Sequence, residues 1–222
     1  MDTSQQLSKF DEGLREKYGP VIMGVDEVGR GCWFGPLVAG AVVLPADVKL
    51  VGLNDSKQLT EEQREDLYEQ IKEKAVCWSV AFIEAEEIDK RGLTWANVTA
   101  MVRAAKQAEG LNSTIVNLYV IDQSPCKKLN PHVMMSKADS TSLCVAAASV
   151  MAKVTRDRHI KEIAKQYPQY GLEDNKGYIN PAHIEAVNKY GLVKGLHRFS
   201  YKVTGFNKPV QASMMDFLEE EN

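Results

Sequence analysis

The chain has 222 residues, of which 44% are hydrophobic and 26% charged, a composition typical of a soluble globular protein with one full domain and a short appendage. It contains no apolar run near the roughly 18 residues that span a bilayer, and its first residues lack the apolar core of a secretory signal. The four cysteines are scattered without a CxxC pair, which argues against a zinc site and gives no support for a disulfide framework. We therefore expect a reduced, cytoplasmic protein without a membrane partner.

The formal net charge is −3, but basic residues are unevenly distributed along the chain. Residues 123–210 hold 14 Lys and Arg against 6 Asp and Glu, whereas the remainder holds 13 against 24. A face built from the basic part would suit phosphates, although an unevenly charged solvated surface gives the same counts. Charge therefore permits a nucleic-acid partner without establishing one.

In chain order, the first predicted element is a short amphipathic helix, indicated by Phe10, Leu14 and Tyr18 at helical spacing. Two apolar strands follow, at Val21–Asp26 and Leu37–Leu44. The glycine-rich segment between these strands is typical of a turn, so the two strands are predicted to form a hairpin.

Strands and helices alternate in the rest of the chain. Further strands are predicted at 76–83 and 115–122, and helices at 60–75 (opened by a capping box of Thr60 and Gln63), Leu93–Glu109, Ser142–Gln166 and Pro181–Lys189. This order predicts an α/β fold in which a mixed sheet is flanked by helices.

Four acidic residues stand at the ends of predicted elements. Asp26 and Glu27 end the first strand, Asp122 ends the fourth, and Asp139 precedes the longest helix. Adjacent strand residues point to opposite faces, so Asp26 and Glu27 can share a site only where the strand ends and the chain turns, which Gly29 makes feasible. Each acid taken alone is more typical of a helix cap or turn than of a site, but the pair at a strand end favours a site.

Clustered carboxylates without a Cys or His cluster match the needs of phosphodiester hydrolysis. This reaction requires a nucleophilic water and stabilisation of charge on the leaving oxygen, and two divalent ions about 4 Å apart supply both. Mg²⁺ prefers carboxylate, water and phosphate oxygens. The residues alone therefore predict a divalent-metal phosphodiesterase.

The glycine-rich segment 24–31 (GVDEVGRG) matches neither the phosphate-binding loop of nucleoside triphosphatases nor the dinucleotide-binding pattern. Its glycines stand beside paired carboxylates, which suggests close approach of the backbone to a polymer substrate.

Several motifs, in order from about residue 21 to 200, resemble those of the ribonuclease HII family. They are Asp26-Glu27-Val28-Gly29-Arg30-Gly31 with Gly35-Pro36, Asp55–Leu59 (DSKQL), Lys137–Ser140 (KADS) with Ala146–Asp157 (AAASVMAKVTRD), Lys176–Tyr178 (KGY) and His197–Ser200 (HRFS). The resemblance implies a ribonuclease H-like mixed sheet flanked by helices, with a helical C-terminal segment. It also implies an endonuclease that hydrolyses the RNA strand of RNA–DNA hybrids and cuts 5′ of ribonucleotides embedded in duplex DNA, leaving 3′-OH and 5′-phosphate ends.

The same resemblance implies a role for each matching residue. The catalytic, metal-binding carboxylates would be Asp26, Glu27, Asp122 and Asp139, holding two divalent ions, Mg²⁺ or Mn²⁺. Gly29, Arg30 and Gly31 would read the ribose 2′-hydroxyl, the group that distinguishes RNA from DNA. Tyr178 would stack on the sugar after the ribonucleotide, while Lys57, Ser149 and Lys153 would hold substrate phosphates.

The chain departs from the family pattern at two places. Cys32–Phe34 follows the Gly29–Gly31 element, where the family often has proline, and Asn175–Asn180 replaces the usual HKGYGT. The second departure puts the details of substrate positioning around Tyr178 in question.

Two other functions stay open at this point. A junction resolvase or integrase-like nuclease would keep the fold and act on DNA, and a catalytically inactive module would bind hybrids without cleaving them. The Gly29–Gly31 element and Tyr178 oppose the first, and the four carboxylates oppose the second.

We expect an N-terminal extension at 1–20, a ribonuclease H-like catalytic domain with its C-terminal helical segment at 21–205, and an acidic tail at 206–222. Gln211–Phe217 (QASMMDF) in that tail resembles in part a peptide that binds sliding clamps. The expected partners are an RNA–DNA hybrid or ribonucleotide-containing duplex DNA, with a sliding clamp as a further candidate. The chain is expected to be a monomer.

Overall fold

A five-stranded mixed sheet forms the centre of the structure, a computed structural model that describes residues 3–122 and 126–207. Its strands are β1 (Ile22–Val28), β2 (Leu37–Val43), β3 (Cys77–Ile83), β4 (Leu118–Asp122) and β5 (His132–Met135), in the order β3-β2-β1-β4-β5. β1 pairs antiparallel with β2, and β2 with β3, whereas β4 is parallel to β1 and β5 to β4. The predicted hairpin and mixed sheet are confirmed.

Seven helices accompany the sheet in the described ranges. They are α1 (Thr3–Tyr18), α2 (Glu61–Lys74), α3 (Ala85–Arg91), α4 (Leu93–Asn112), α5 (Leu143–Ala164), α6 (Leu172–Asn175) and α7 (Pro181–Tyr190), with 3-10 turns at Ala138–Ser140 and Pro168–Tyr170. The predicted capping box is present, since Gln63 N–H donates to Thr60 Oγ1 at 3.2 Å and Thr60 N–H to Gln63 Oε1 at 2.8 Å. None of these helices is long and apolar enough to cross a membrane.

Three short elements escaped prediction, namely β5, α3 and the four-residue α6. β5 has four residues at the sheet edge, too few for a visible alternation, and α3 is a mostly charged segment that buries Ala85 and Ile88. Such elements owe their existence to their neighbours in the fold, because local pattern and propensity are weak over so few residues.

Helices cover both faces of the sheet, which explains why β2 and the part of β1 before Asp26 are apolar throughout. Along β1, Ile22 packs in the core with α5, whereas Met23 and Val25 pack in the core with α4. Strands buried on both faces lose the usual alternation of polar and apolar residues.

The helix α5 lies unusually close to the sheet because two glycines of the sheet face it. A Cβ atom at Gly24 would lie far inside van der Waals contact with the backbone of Cys144, and one at Gly40 with the backbone of Ala148. The buried alanines of α5, Ala146–Ala148, are small enough for the same approach. This close packing fixes the position of the later turns of α5 relative to the strand ends.

The helix α1 packs onto the same core. Leu7 is buried there, and the buried carboxylate of Asp11 accepts a hydrogen bond from the Cys144 N–H at 2.9 Å, in the first turn of α5. Arg15 Nη2 donates to the Leu44 carbonyl at 3.2 Å.

The domain boundaries at 20 and 205 remain predictions, and Gln211–Phe217 lies outside the described residues.

Candidate active site

The parallel pairing of β1 and β4 places two of the predicted carboxylates side by side. Val25 pairs with Ile121, so Asp26 and Asp122 occupy the next position of each strand, side by side toward the carboxyl ends of the two strands. Asp122 Oδ1 accepts the Ala138 N–H at 2.9 Å, which joins this edge to the turn that carries Asp139.

Asp26 and Glu27 face opposite sides of the sheet yet reach one pocket. Asp26 is hydrogen-bonded to Ser149 of α5, and Glu27 to Asn97 of α4. Because β1 ends at Val28, both carboxylates border the same pocket of about 150 Å³. The sequence analysis expected two adjacent acids to share a site only where the strand ends, and both lie in the last three residues of β1.

This pocket collects most of the predicted site residues. It is lined by Asp26, Glu27, Val28, Ser56, Lys57, Asp122, Ser149, Lys153 and Tyr178. Asp139 is buried and joins the group through Lys57, whose Nζ donates to Asp139 Oδ2 at 3.2 Å. Gly29, Arg30 and Gly31 follow Val28 along the chain and are not among the lining residues.

The pocket concentrates negative charge away from water. Burial, and then the charge of Glu27, raise the pKa of Asp26 well above its usual value. Burial raises the pKa of Glu27 to about 7, with Arg30 opposing the shift and the charge of Asp122 adding to it. Burial also raises the pKa of Asp122, against the stabilising hydrogen bond from the Ala138 N–H. Carboxylates that repel one another in this way favour a bound cation.

The donor set fits a hard divalent cation. Carboxylate oxygens are the ligands such ions prefer, and Glu27 Oε2 is buried without a hydrogen-bond partner among the described residues. Over residues 3–122 and 126–207, however, no three His, Cys, Asp or Glu side chains are already grouped to hold one ion. Asp139 in particular forms an ion pair with Lys57 at 3.2 Å.

Two buried arginines hold the segment that follows β1. Arg156 of α5 donates to the carbonyls of Phe34 and Pro36, both at 2.9 Å, and a Cβ at Gly29, whose φ is +87°, would clash with its side chain. Arg198 donates to the carbonyl of Arg30 at 3.1 Å. The exposed Arg30–Gly31 backbone is thus fixed from behind while its outer side stays accessible.

Tyr178 is attached to the same segment. The Gly177 carbonyl accepts the Trp33 N–H at 2.9 Å, and Tyr178 pairs with Cys32 in an isolated bridge. The Tyr178 ring is 40% exposed, and Lys153 Nζ lies 5.6 Å from its centroid. Lys153 in turn forms an ion pair with Asp157 at 2.8 Å.

Sequence reasoning assigned no role to several residues that shape this region, namely Asn97, Arg156, His183, His197 and Arg198. Arg156 had a detectable signal, because it stands four and eight residues after the buried Ala152 and Ala148 on one side of α5. A charged residue on a buried stripe has to find hydrogen-bond acceptors inside the protein. The partners of the two histidines lie only 3 to 14 residues away, but across turns and a helix end, where no regular spacing marks the contact.

The comparison with protein families gives a match to the model described as "Ribonuclease HII" over residues 23–204. A ribonuclease HII of Ruminiclostridium cellulolyticum is 42% identical over 202 residues, covering 90% of this chain and 77% of the relative. One from Geobacillus sp. is 40% identical over 197 residues, covering 89% of this chain and 69% of the relative.

Solved structures agree in fold. Ribonuclease H2 of Pyrococcus horikoshii has a TM-score of 0.66 at 29% identity, covering 82% of this chain and 94% of that one. The ribonuclease HII of Archaeoglobus fulgidus, solved in complex with PCNA, has a TM-score of 0.64 at 26% identity, covering 89% and 100%. The Bst ribonuclease HIII solved with Mn²⁺ has a TM-score of 0.67 at 18% identity, covering 90% and 69%. The chain belongs to the ribonuclease HII family, with a ribonuclease H-like fold, and is a ribonuclease H, an endoribonuclease that acts on RNA–DNA hybrids.

Proposed function

We propose that this ribonuclease H also incises duplex DNA on the 5′ side of an embedded ribonucleotide, leaving 3′-OH and 5′-phosphate ends. The observation that carries the proposal is the shared pocket, in which Asp26, Glu27 and Asp122 stand beside Tyr178 and Lys153. An aromatic ring and an ammonium next to clustered carboxylates suit a sugar and a phosphate next to the bond to be cut.

The proposed cofactors are two divalent ions, Mg²⁺ or Mn²⁺, which would be held by Asp26, Glu27, Asp122 and Asp139. When bound, such ions supply a nucleophilic water at neutral pH and neutralise charge on the leaving oxygen. The raised pKa values of Asp26, Glu27 and Asp122 support this, because burial and, to a smaller extent, mutual repulsion disfavour the ionised carboxylates, and a bound cation would stabilise them. The unpartnered Glu27 Oε2 supports it too.

The remaining residues would bind and orient the substrate. The segment Gly29–Gly31, exposed at Arg30 and Gly31, would meet the ribose 2′-hydroxyl, with the Arg30 carbonyl kept in place by Arg198. Tyr178 would pack on the following sugar. Lys57, Ser149 and Lys153 would contact phosphates, and Lys57 would leave Asp139 to do so.

A protein partner is proposed for the tail. The Archaeoglobus relative was solved in complex with PCNA, a sliding clamp, which supports a clamp contact through Gln211–Phe217 of this chain. The protein itself is proposed to act as a monomer.

The decisive experiment uses an end-labelled DNA duplex carrying one ribonucleotide. In Mg²⁺ or Mn²⁺, we expect a single cut 5′ of the ribonucleotide and none in the matched all-DNA duplex. Asp26→Asn should lower the cleavage rate at least a hundredfold, since it removes a carboxylate from the pocket, while hybrid binding measured by fluorescence anisotropy stays within a fewfold of wild type. Full turnover by Asp26→Asn, or cutting of all-DNA duplex at an equal rate, contradicts the proposal.

A further inference from the structure

Two buried histidines lie next to the backbone of Tyr178. His183 in α7 is 0% exposed and His197 is 1% exposed, and their Nε2 atoms are 3.3 Å apart. The rings of Trp33, Phe34 and Tyr170 surround them, with centroids 4.8 to 6.4 Å from the imidazoles. A polar pair inside an aromatic cluster is costly unless each polar atom has a partner.

The hydrogen bonds of the pair have one consistent direction. The Val193 N–H can only donate, so His197 Nδ1, at 2.9 Å, accepts. Neutral His197 then carries its proton on Nε2 and donates to His183 Nε2. His183 therefore carries its proton on Nδ1, which donates to the Tyr178 carbonyl oxygen at 2.9 Å.

Both rings have to stay neutral for this arrangement to persist. A second proton on His183 would set two N–H groups against each other across the 3.3 Å contact, and a second proton on His197 would face the Val193 N–H. Burial lowers the pKa of His183, and burial together with His183 lowers the pKa of His197 to about 3. Geometry and environment thus agree on one tautomer for each ring.

Hydrogen bonds hold the backbone of Tyr178 at both its N–H and its carbonyl. On one side the Tyr178 N–H donates to the Asn175 carbonyl at 2.9 Å, and on the other His183 holds the Tyr178 carbonyl. His183 is itself fixed, because its N–H donates to the side chain of Asn180 at 2.8 Å, the N-cap of α7. This is the stretch, Asn175–Asn180, where the sequence leaves the pattern of its family.

We propose that His183 and His197 are positioning residues that fix the Tyr178 peptide, and with it the ring facing the substrate sugar, through a one-way relay of hydrogen bonds from Val193. The inference rests on the proposed contact of Tyr178 with the substrate. Neither histidine reaches the reacting atoms, so each acts only through the placement of the Tyr178 ring.

A double-mutant cycle tests the relay on the duplex with one ribonucleotide. His183→Leu removes the donor to the Tyr178 carbonyl and is expected to lower kcat on the order of tenfold with KM little changed. His183→Asn should retain most of kcat, because its amide nitrogen takes the place of Nδ1. In a Tyr178→Ala background, His183→Leu should lower kcat less than twofold further.

The matched control is Tyr170→Phe, in the same cluster. It removes the hydrogen bond from Tyr170 to the Gly191 carbonyl at 2.8 Å and leaves the relay intact, so it should lower Tm without changing kcat. An equal kcat loss from His183→Leu with and without Tyr178, or no loss at all, overturns the inference.

Two further measurements test the substrate contact of Tyr178 and the tautomers of the histidines separately. Full activity of Tyr178→Ala overturns the proposed substrate contact and the relay with it. If His183→Leu does not fold, nitrogen NMR of the wild-type imidazoles decides, with the proton expected on Nδ1 of His183 and on Nε2 of His197; the opposite tautomers overturn the relay.

Discussion

At the scale of single residues, Glu27 shows a conflict between stability and function. Its carboxylate is hydrogen-bonded to Asn97, but its Oε2 atom is buried without a hydrogen-bond partner among the described residues. Burial raises the pKa of Glu27 to about 7. In metal-free protein the ionised form is therefore disfavoured in the folded state. Because the folded pKa is raised, the group stabilises fully below its unfolded value of 4.5, and that stabilisation is lost as pH rises through about 7.

Glu27→Gln is accordingly expected to stabilise the metal-free protein. At pH 8 in a chelating buffer, we expect a gain of about 1–3 kcal/mol in the free energy of unfolding, and little gain at pH 4. Urea titrations at the two pH values measure this difference. The exposed Glu73→Gln on α2 is the control and should change stability by less than about 0.5 kcal/mol at both. Equal effects of Glu27→Gln at pH 4 and pH 8 would exclude the explanation from charge burial.

The buried side chain of Arg156 joins two segments of the site through hydrogen bonds to their backbone. Arg156 makes three hydrogen bonds to carbonyls, of Phe34, Pro36 and Lys176, at 2.8–2.9 Å. It thereby ties together the segment after β1 and the segment that carries Tyr178. A planar guanidinium can make these three contacts at once, which an ammonium on a flexible stem cannot.

At the scale of elements, the distance between α5 and the sheet sets the geometry of the site. α5 delivers Ser149 to Asp26 and Lys153 to the pocket, and it can do so because Gly24 and Gly40 leave room for its backbone. Small residues on both surfaces are thus a requirement of the site as well as of the core.

Gly40→Ala is therefore expected to harm both stability and catalysis. Its new methyl group meets the Ala148 carbonyl, which is backbone and cannot rotate away, so we expect a loss of about 2–4 kcal/mol. The displaced helix should also lower kcat severalfold, because Ser149 and Lys153 move with it. Thermal unfolding and single-turnover cleavage measure the two effects.

Gly110→Ala serves as the matched control on α4. A Cβ atom there meets nothing within 4 Å, and alanine is the better helix former, so this variant should be up to about 1 kcal/mol more stable with unchanged cleavage. A Gly40→Ala protein as stable and active as wild type would contradict the close-packing argument.

At the scale of the whole molecule, ion pairs with α2 neutralise part of the basic charge of residues 123–210. Arg158 of α5 pairs with Glu65 and Glu69 of α2, and Lys161 pairs with Glu61. This part of the basic surplus is neutralised on the outer face of the helices. At the pocket the cations are Lys57, 77% exposed at its side chain, and Lys153.

Binding to a hybrid should therefore depend on Lys57 in a salt-sensitive way. Lys57→Ala is expected to weaken binding severalfold at low salt and to reduce the slope of log Kd against log salt by about 1, because one phosphate contact is lost. Fluorescence anisotropy between low and moderate salt gives the slope. Lys74→Ala, near the opposite edge of the sheet where it donates to the Lys49 carbonyl, should leave the slope unchanged. An unaltered slope for Lys57→Ala would remove it from the phosphate contacts.

Local patterns along the chain were enough to predict the main elements and the family. Apolar runs predicted β1 to β4 in type and approximate position, helical periodicity and caps predicted α2, α4, α5 and α7, and the ordered motifs indicated the family. These signals are local, since burial on two faces and the first turn of a helix each leave a pattern within a few residues.

The contacts between the site residues could not be predicted from local patterns, because they join segments far apart in the chain. The parallel register of β1 and β4 sets Asp26 beside Asp122, and Lys57, 82 residues away in sequence, reaches Asp139. The relay from His197 to Tyr178 likewise joins residues whose sequence surroundings give no sign of contact. Distances, burial and the resulting pKa shifts depend on long-range packing, which no window along the chain contains, and they bring carboxylates from separate segments together beside one pocket.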